Sequence, residues 1–181
     1  KKPGSTVIYY IFTISGGLTF PSLHYSVVDI SLSSGSGSVT VKNFTVAQCY
    51  GFLSGTRHCN GNDYWIVTHD KNNSNFNTYL LSAAGLNSIA VVSSAGPIVP
   101  TNAFGMTGES EMKISTNGKK LALTFGSLYC NNNPNERIHL YDFDNSTGIV
   151  SNYLLLPYNV VTFGTNATAS YPLGCEFSPD N

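Results

Sequence analysis

Charge is scarce in this chain. Asp, Glu, Lys and Arg make up 10% of its 181 residues, and the formal net charge is −1; a globular chain usually carries about a quarter. A phosphate backbone finds little to hold, because apart from the terminal Lys1-Lys2 the basic residues cluster only at Lys119-Lys120. Nucleic acid is therefore not an expected partner. Long apolar runs are missing too. None approaches the roughly 18 residues needed to cross a bilayer, so no membrane span is expected. No signal peptide is visible, and "KKPGSTVIYYIFTI" reads as a start inside a longer protein, with any targeting segment upstream. A 3.6-residue apolar period is absent from every window, which excludes a helical fold class. No C-x-x-C spacing points to zinc, and no G-x-S-x-G elbow, Walker loop, H-E-x-x-H or EF-hand loop points to a reaction. The expectation is a protein without catalytic residues.

Apolar side chains are plentiful instead. They form 41% of the chain and aromatics 12%, enough to bury a sizeable core in one domain over residues 1–181. Ser, Thr, Asn and Gly supply the polarity, and they favour turns and strand surfaces. Short β-branched and aromatic runs predict strands at Thr6 to Ile14, Tyr25 to Leu32, Val39 to Val46, Asp63 to His69 and Phe76 to Ala83. The series continues at Ser88 to Ser94, Glu111 to Thr116, Lys120 to Gly126, Arg137 to Asp144 and Val150 to Pro157. The expected class is all-β.

These strands recur as a unit. Each unit has a strand, a variable polar loop, a second strand, a tight turn and a further strand. The turns carry Gly35, Gly85 and Gly148, which lie 50 and 63 residues apart. Self-similarity at that period predicts antiparallel β-propeller blades. The blades are expected at 6–48, 60–100 and 109–160, with the start of a fourth at 170–181, as part of a seven-bladed propeller. The start of the fourth is read from a repeated phrase. In "MKISTNGKKLALTF" a strand meets an Asn117-Gly118 turn and a second strand follows. In "GCEFSPDN", Glu176 aligns with Lys113, Phe177 with Ile114 and Ser178 with Ser115.

The phrases "SPDN" and "STNGKKLAL" resemble the Ser-Pro-Asp-Gly, Lys-Leu turn of bacterial WD-repeat-like propellers. "TRHCNGNDYWIVTHDKNNSNFNTYLLSAAG", Thr56 to Gly85, is similar to the "R-H-x-N-G-x-D-W-W-x-x-x-H … F-x-x-x-L-L-x-x-x-G" repeat of large secreted Bacteroidota proteins. "IHLYDFDNSTGIVSN" followed by "YPLGCEFSPDN" is similar to their "Y-D-F-D-x-x-T-G-x-V-S-N … Y-G-x-E-F-S-P-D". Cys59 stands where that family often has Ala, and Tyr64 where Trp is common. The resemblance implies an extracellular or cell-surface propeller, many of whose relatives are type IX secretion cargo. It implies no reaction.

Candidate functional residues fall in three groups. Aromatic faces stack on sugar rings while amides bond hydroxyls, so Tyr50, Phe52, Tyr129, Asn131 and Asn132 are candidates for a glycan site; Trp65, inside "DYWIV", reads as core. Asp142 and Asp144 in "DFDNSTG" are a candidate pair for calcium. His58 and His69 flank Trp65 and are read as partners of Asp63 and Asp70 in structural hydrogen-bond networks, with a metal or acid/base role as the alternative. The four cysteines, Cys49, Cys59, Cys130 and Cys175, allow three pairings. Cys49–Cys59 and Cys130–Cys175 are favoured, with buried thiols as the alternative. The reading as a whole is a binding or scaffold module. Its partners are the rest of its own polypeptide or another chain covering an exposed blade face. A lectin-like propeller, and part of an enzyme completed by further blades, are the rival readings.

Overall fold

A computed structural model describes residues 1–15, 21–98, 110–125, 138–157, 172 and 174–179. Among these the chain is all-β, with a single short 3-10 turn at Ser33–Gly35. Twelve strands form three antiparallel sheets, and none of the sheets is closed.

The first sheet is a meander of β1 (Ile8–Ser15), β2 (Ser22–Asp29) and β3 (Ser38–Gln48). The second runs β4 (Leu53–Arg57), β5 (Tyr64–His69) and β6 (Asn75–Ser82). Its outer rung is split into β7 (Gly85–Leu86) and β8 (Val91–Ser94), which both pair with β6. The third runs β9 (Ser110–Ile114), β10 (Lys120–Phe125), β11 (Ile138–Asp144) and β12 (Ile149–Leu156). The three Gly turns join the second-last and last rungs of each sheet. Gly35, Gly85 and Gly148 all take positive φ, at 90°, 114° and 78°, which glycine adopts without a Cβ penalty.

The second sheet is the middle layer. One core joins it to the first sheet through Leu23, Cys49, Ile66 and Tyr79, with Phe12, Ile14 and Val46 packed around them. The other joins it to the third sheet through Phe52, Trp65, Val67, Phe76, Leu121, Leu123, Tyr141, Phe143 and Val150. Alternation along β5 sends Trp65 and Val67 to one side and Ile66 to the other. This explains why "YWIVTH" reads as a nearly continuous buried run, since a strand covered on both faces needs no polar alternation. β11 alternates instead, burying His139, Tyr141 and Phe143 against the second sheet.

The outermost faces are less covered. Tyr9, Val28 and Val39 share a cross-strand row on the far side of the first sheet, with Val39 55% exposed. Leu140 and Leu154 pair on the far side of the third sheet, with Leu154 53% exposed. The segment at Gly174 to Pro179 runs beside β9 on that far side. Glu111 Oε2 accepts from the Cys175 amide at 2.9 Å, Glu176 pairs with Lys113 Nζ at 3.1 Å, and the Thr116 hydroxyl donates to the Pro179 carbonyl at 3.4 Å.

Two expected features differ. β4 precedes residue 60, where the second unit was expected to begin. Its sequence, "LSGTR", has Ser and Gly inside and does not advertise a strand. The turn at Ser115 to Lys120 needs one positive φ, at Gly118 (68°), and Asn117 does not supply another. Asn117 acts through its side chain instead, whose Oδ1 accepts from the Lys119 amide at 3.0 Å.

Candidate ligand-binding site

A cleft of about 270 Å³ opens between the first and second sheets. One wall is the inner face of β1, carrying Tyr10 and Phe12. The other is one end of the second sheet: Gly55, Thr56 and Arg57 of β4, Tyr64, Trp65 and Ile66 of β5, and Leu81 of β6. Lys1 closes one side.

The rings of the first wall hold one another. Tyr10 stacks on Phe12 at 6.0 Å and lies 5.2 Å from Tyr25, which continues to Phe44 at 5.1 Å. Burial, with Tyr25 alongside, raises the Tyr10 pKa, so its phenol stays a neutral hydrogen-bonding group. On the opposite wall Gly55 keeps the strand bare. A Cβ there would lie 3.2 Å from the Trp65 carbonyl oxygen and 3.4 Å from Ile66 Cδ1. Arg57 is paired with Tyr64 across β4 and β5 and is exposed. Its backbone carbonyl accepts from Asn145 Nδ2 at 2.9 Å. Among the described residues its guanidinium has neither an ion-pair nor a hydrogen-bond partner. No Asp or Glu stands in the lining.

The residues singled out from sequence lie elsewhere. Tyr50 and Phe52 are 5% and 1% exposed and belong to the core between the second and third sheets. Their rings sit 5.6 Å apart, and this burial removes them as glycan-stacking faces. Tyr129, Asn131, Asn132 and Cys130 lie outside the described residues.

Asp142 and Asp144 already have protein partners. Asp142 pairs with Lys120 Nζ and accepts from Asn152 Nδ2 at 2.9 Å. Asp144 caps its own turn, accepting from the Ser146 amide at 2.9 Å and the Ser146 hydroxyl at 2.6 Å. These bonds lower its pKa to about 2.

His58, opposite Asp63, and His69 sit at opposite ends of β5, roughly 20 Å apart at ~3.4 Å per residue. Neither bonds an Asp carboxylate. His58 stacks on Trp65 at 5.1 Å, and its Nδ1 accepts from the Asn60 amide at 2.9 Å. His69 Nδ1 donates to the Asp70 backbone carbonyl at 2.6 Å, so Nε2 is the unprotonated nitrogen, buried without a partner. The expected His–Asp networks give way to local backbone bonds because each ring reaches a main-chain group first.

The favoured Cys49–Cys59 bond is not formed, and the Cys130–Cys175 pairing falls on a residue outside the described ones. Cys49, Cys59 and Cys175 are all free thiols. Cys49 is buried between the first and second sheets, while Cys59 stands exposed at the other end of the second sheet, in the loop after β4. Sequence nearness misled here, because β4 carries the chain from one end of the sheet to the other between them. Burial pushes the Cys49 thiol up to about 12 and the Cys175 thiol up to about 11. Trp65 is core, as its strand predicts: it is 5% exposed, and its Nε1 donates to the Asn145 carbonyl at 3.0 Å.

The cleft itself is not legible in the sequence, because its walls lie in different units. Arg57 and Tyr64 do fall inside the segment that carries the family resemblance. Comparison of the chain with protein-family models, curated proteins and solved structures gave no match to any of the three.

Proposed function

We propose that the chain is a segment of a secreted or cell-surface β-propeller that works as a non-enzymatic binding or scaffold module. The observation that carries this reading is the stacking of the sheets in chain order. Each is an antiparallel meander, the second lies face to face between the first and third, and β4 sits beside β9. The Gly174 to Pro179 segment then lies beside β9 in the position the next first strand would take. Blades of a propeller follow one another in this way. Extracellular placement on a bacterial surface rests on the family resemblance and the low charge alone.

The second and third sheets each begin with an inner strand, β4 or β9, ahead of the strand that aligns with β1. Among the described residues the first sheet has no such strand, so β1 presents an edge unpaired by a strand beyond Ile8, where Ser5 and Lys2 take the outward groups. A partner strand from the rest of a longer polypeptide, or from another chain, pairs there, and further sheets cover the apolar outer faces. Backbone amide exchange tests this. In the longer polypeptide the outward β1 amides exchange at least about tenfold more slowly than in this segment alone, because pairing ties exchange to a costlier opening. Equal exchange in both would sink the proposal.

A carbohydrate-binding propeller is the second reading. Its support is the cleft, where aromatic faces and hydroxyl groups line one small opening.

A further inference from the structure

The cleft between the first and second sheets has a chemical bias that scaffolding alone does not require. Its rings come from Tyr10, Phe12 and Tyr64, and its side-chain hydroxyls from Tyr10 and Tyr64; Thr56, paired with Trp65, turns its side chain to the opposite face of the sheet. Arg57 and Lys1 are the charged groups of its lining, with no carboxylate to answer them. A cation that lines an aromatic cleft without a counter-charge invites an anionic ligand. The volume, about 270 Å³, is below the roughly 300–1,000 Å³ of pockets that take drug-sized molecules. It suits one ring with a small substituent.

Three ligand chemistries meet these groups unequally. A bare phosphate would use Arg57 and leave the rings idle. An aromatic carboxylate would use the rings and Arg57 but leave the hydroxyls of Tyr10 and Tyr64 without partners. A sugar acid uses all of them: its C–H face lies on the aromatic wall, its hydroxyls meet the polar edges and its carboxylate takes the guanidinium fork.

We infer that this cleft binds an acidic sugar unit, a hexuronate, with Arg57 as the carboxylate anchor. Lys1 adds positive charge beside it, and Tyr10 and Tyr64 supply stacking faces and hydroxyls. The inference rests on the binding-module reading and gives that module a ligand class.

The test uses the whole chain and follows the backbone amide resonances of Gly55 and Thr56 during titration with D-glucuronate, D-glucose and benzoate. Glucuronate is expected to bind at least about tenfold more tightly than glucose, the worth of one charge-assisted hydrogen-bonded pair. Arg57→Gln should abolish that preference and Arg57→Lys restore part of it. Both variants should melt at the wild-type temperature, because Arg57 is exposed. Equal affinity for glucuronate and glucose, unchanged in Arg57→Gln, would overturn the acidic preference and leave sugar binding standing. Benzoate binding as tightly as glucuronate would overturn the sugar assignment. No shift with either sugar would overturn the inference altogether, while slowed β1 exchange in the longer polypeptide would still uphold the scaffold.

Discussion

Trp65 holds the second sheet to the third. Its ring is buried against Gly148, where a Cβ would lie 3.2 Å from two ring carbons and 3.0 Å from Thr78 Cγ2. Replacing Trp65 with Ala should cost about 3–5 kcal/mol, the usual range for emptying a buried aromatic site, read as a lowered urea midpoint. Gly148→Ala should cost about 1–3 kcal/mol through its positive φ, with the clash against Trp65 in addition. His69 sets a pH dependence. Burial, more than its Asp70 contacts, lowers its pKa from 6.5. The unfolded chain therefore takes up this proton at higher pH than the folded chain does. The contribution of His69 is intact above about pH 6.5 and shrinks as pH falls below that value toward the folded pKa. Urea titrations at descending pH should show this loss, and His69→Leu should flatten it in that window. The cysteines give a second residue-scale check. A maleimide should label Cys59 readily at neutral pH and Cys49 only on unfolding, as peptide mapping would show.

At the scale of elements, the strands that carry the core announced themselves and the inner edge did not. β5, β6, β10 and β11 are rich in β-branched and aromatic residues because both or one of their faces must be filled. Their limits lie within a few residues of the expected ones. β4 carries little core, so its "LSGTR" has no apolar signature and its strand emerges only from pairing with β5. The candidate site was less legible for the same reason. Aromatics in the strand-flanking loop, Tyr50 and Phe52, looked available because no local pattern shows that the third sheet covers them. Tyr10 looked like one more strand residue, and nothing local places it opposite Arg57. Burial between sheets depends on contacts across units, and periodicity within one strand cannot report these. The edge strands also explain the exposed apolar side chains. Val39 and Leu154 lie on outer rungs facing away from the second sheet. Val39→Lys should cost less than about 0.5 kcal/mol in the isolated segment yet weaken association with whatever covers that face, a difference that stability and binding measurements on one variant would separate.

The whole molecule is a stack in which each sheet is completed by its neighbours. The second sheet is covered on both sides and should be the last to open. Among the described residues the first is covered on one side and the third, beyond the Gly174 to Pro179 segment, is open on its far side, so both should exchange their outer-rung amides earlier. An arrangement of this kind extends by adding sheets, and the central claim is that the chain extends into a propeller that closes on the bare edge of β1. A crystal or cryo-EM structure of the longer polypeptide containing this segment tests that most directly. The account predicts successive four-stranded sheets radiating around one axis, with an inner strand hydrogen-bonded along residues 9–15 of β1 and a further sheet over Val28 and Val39. A structure in which β1 remains an unpaired edge, or in which the three sheets end as an open layered stack, would contradict it.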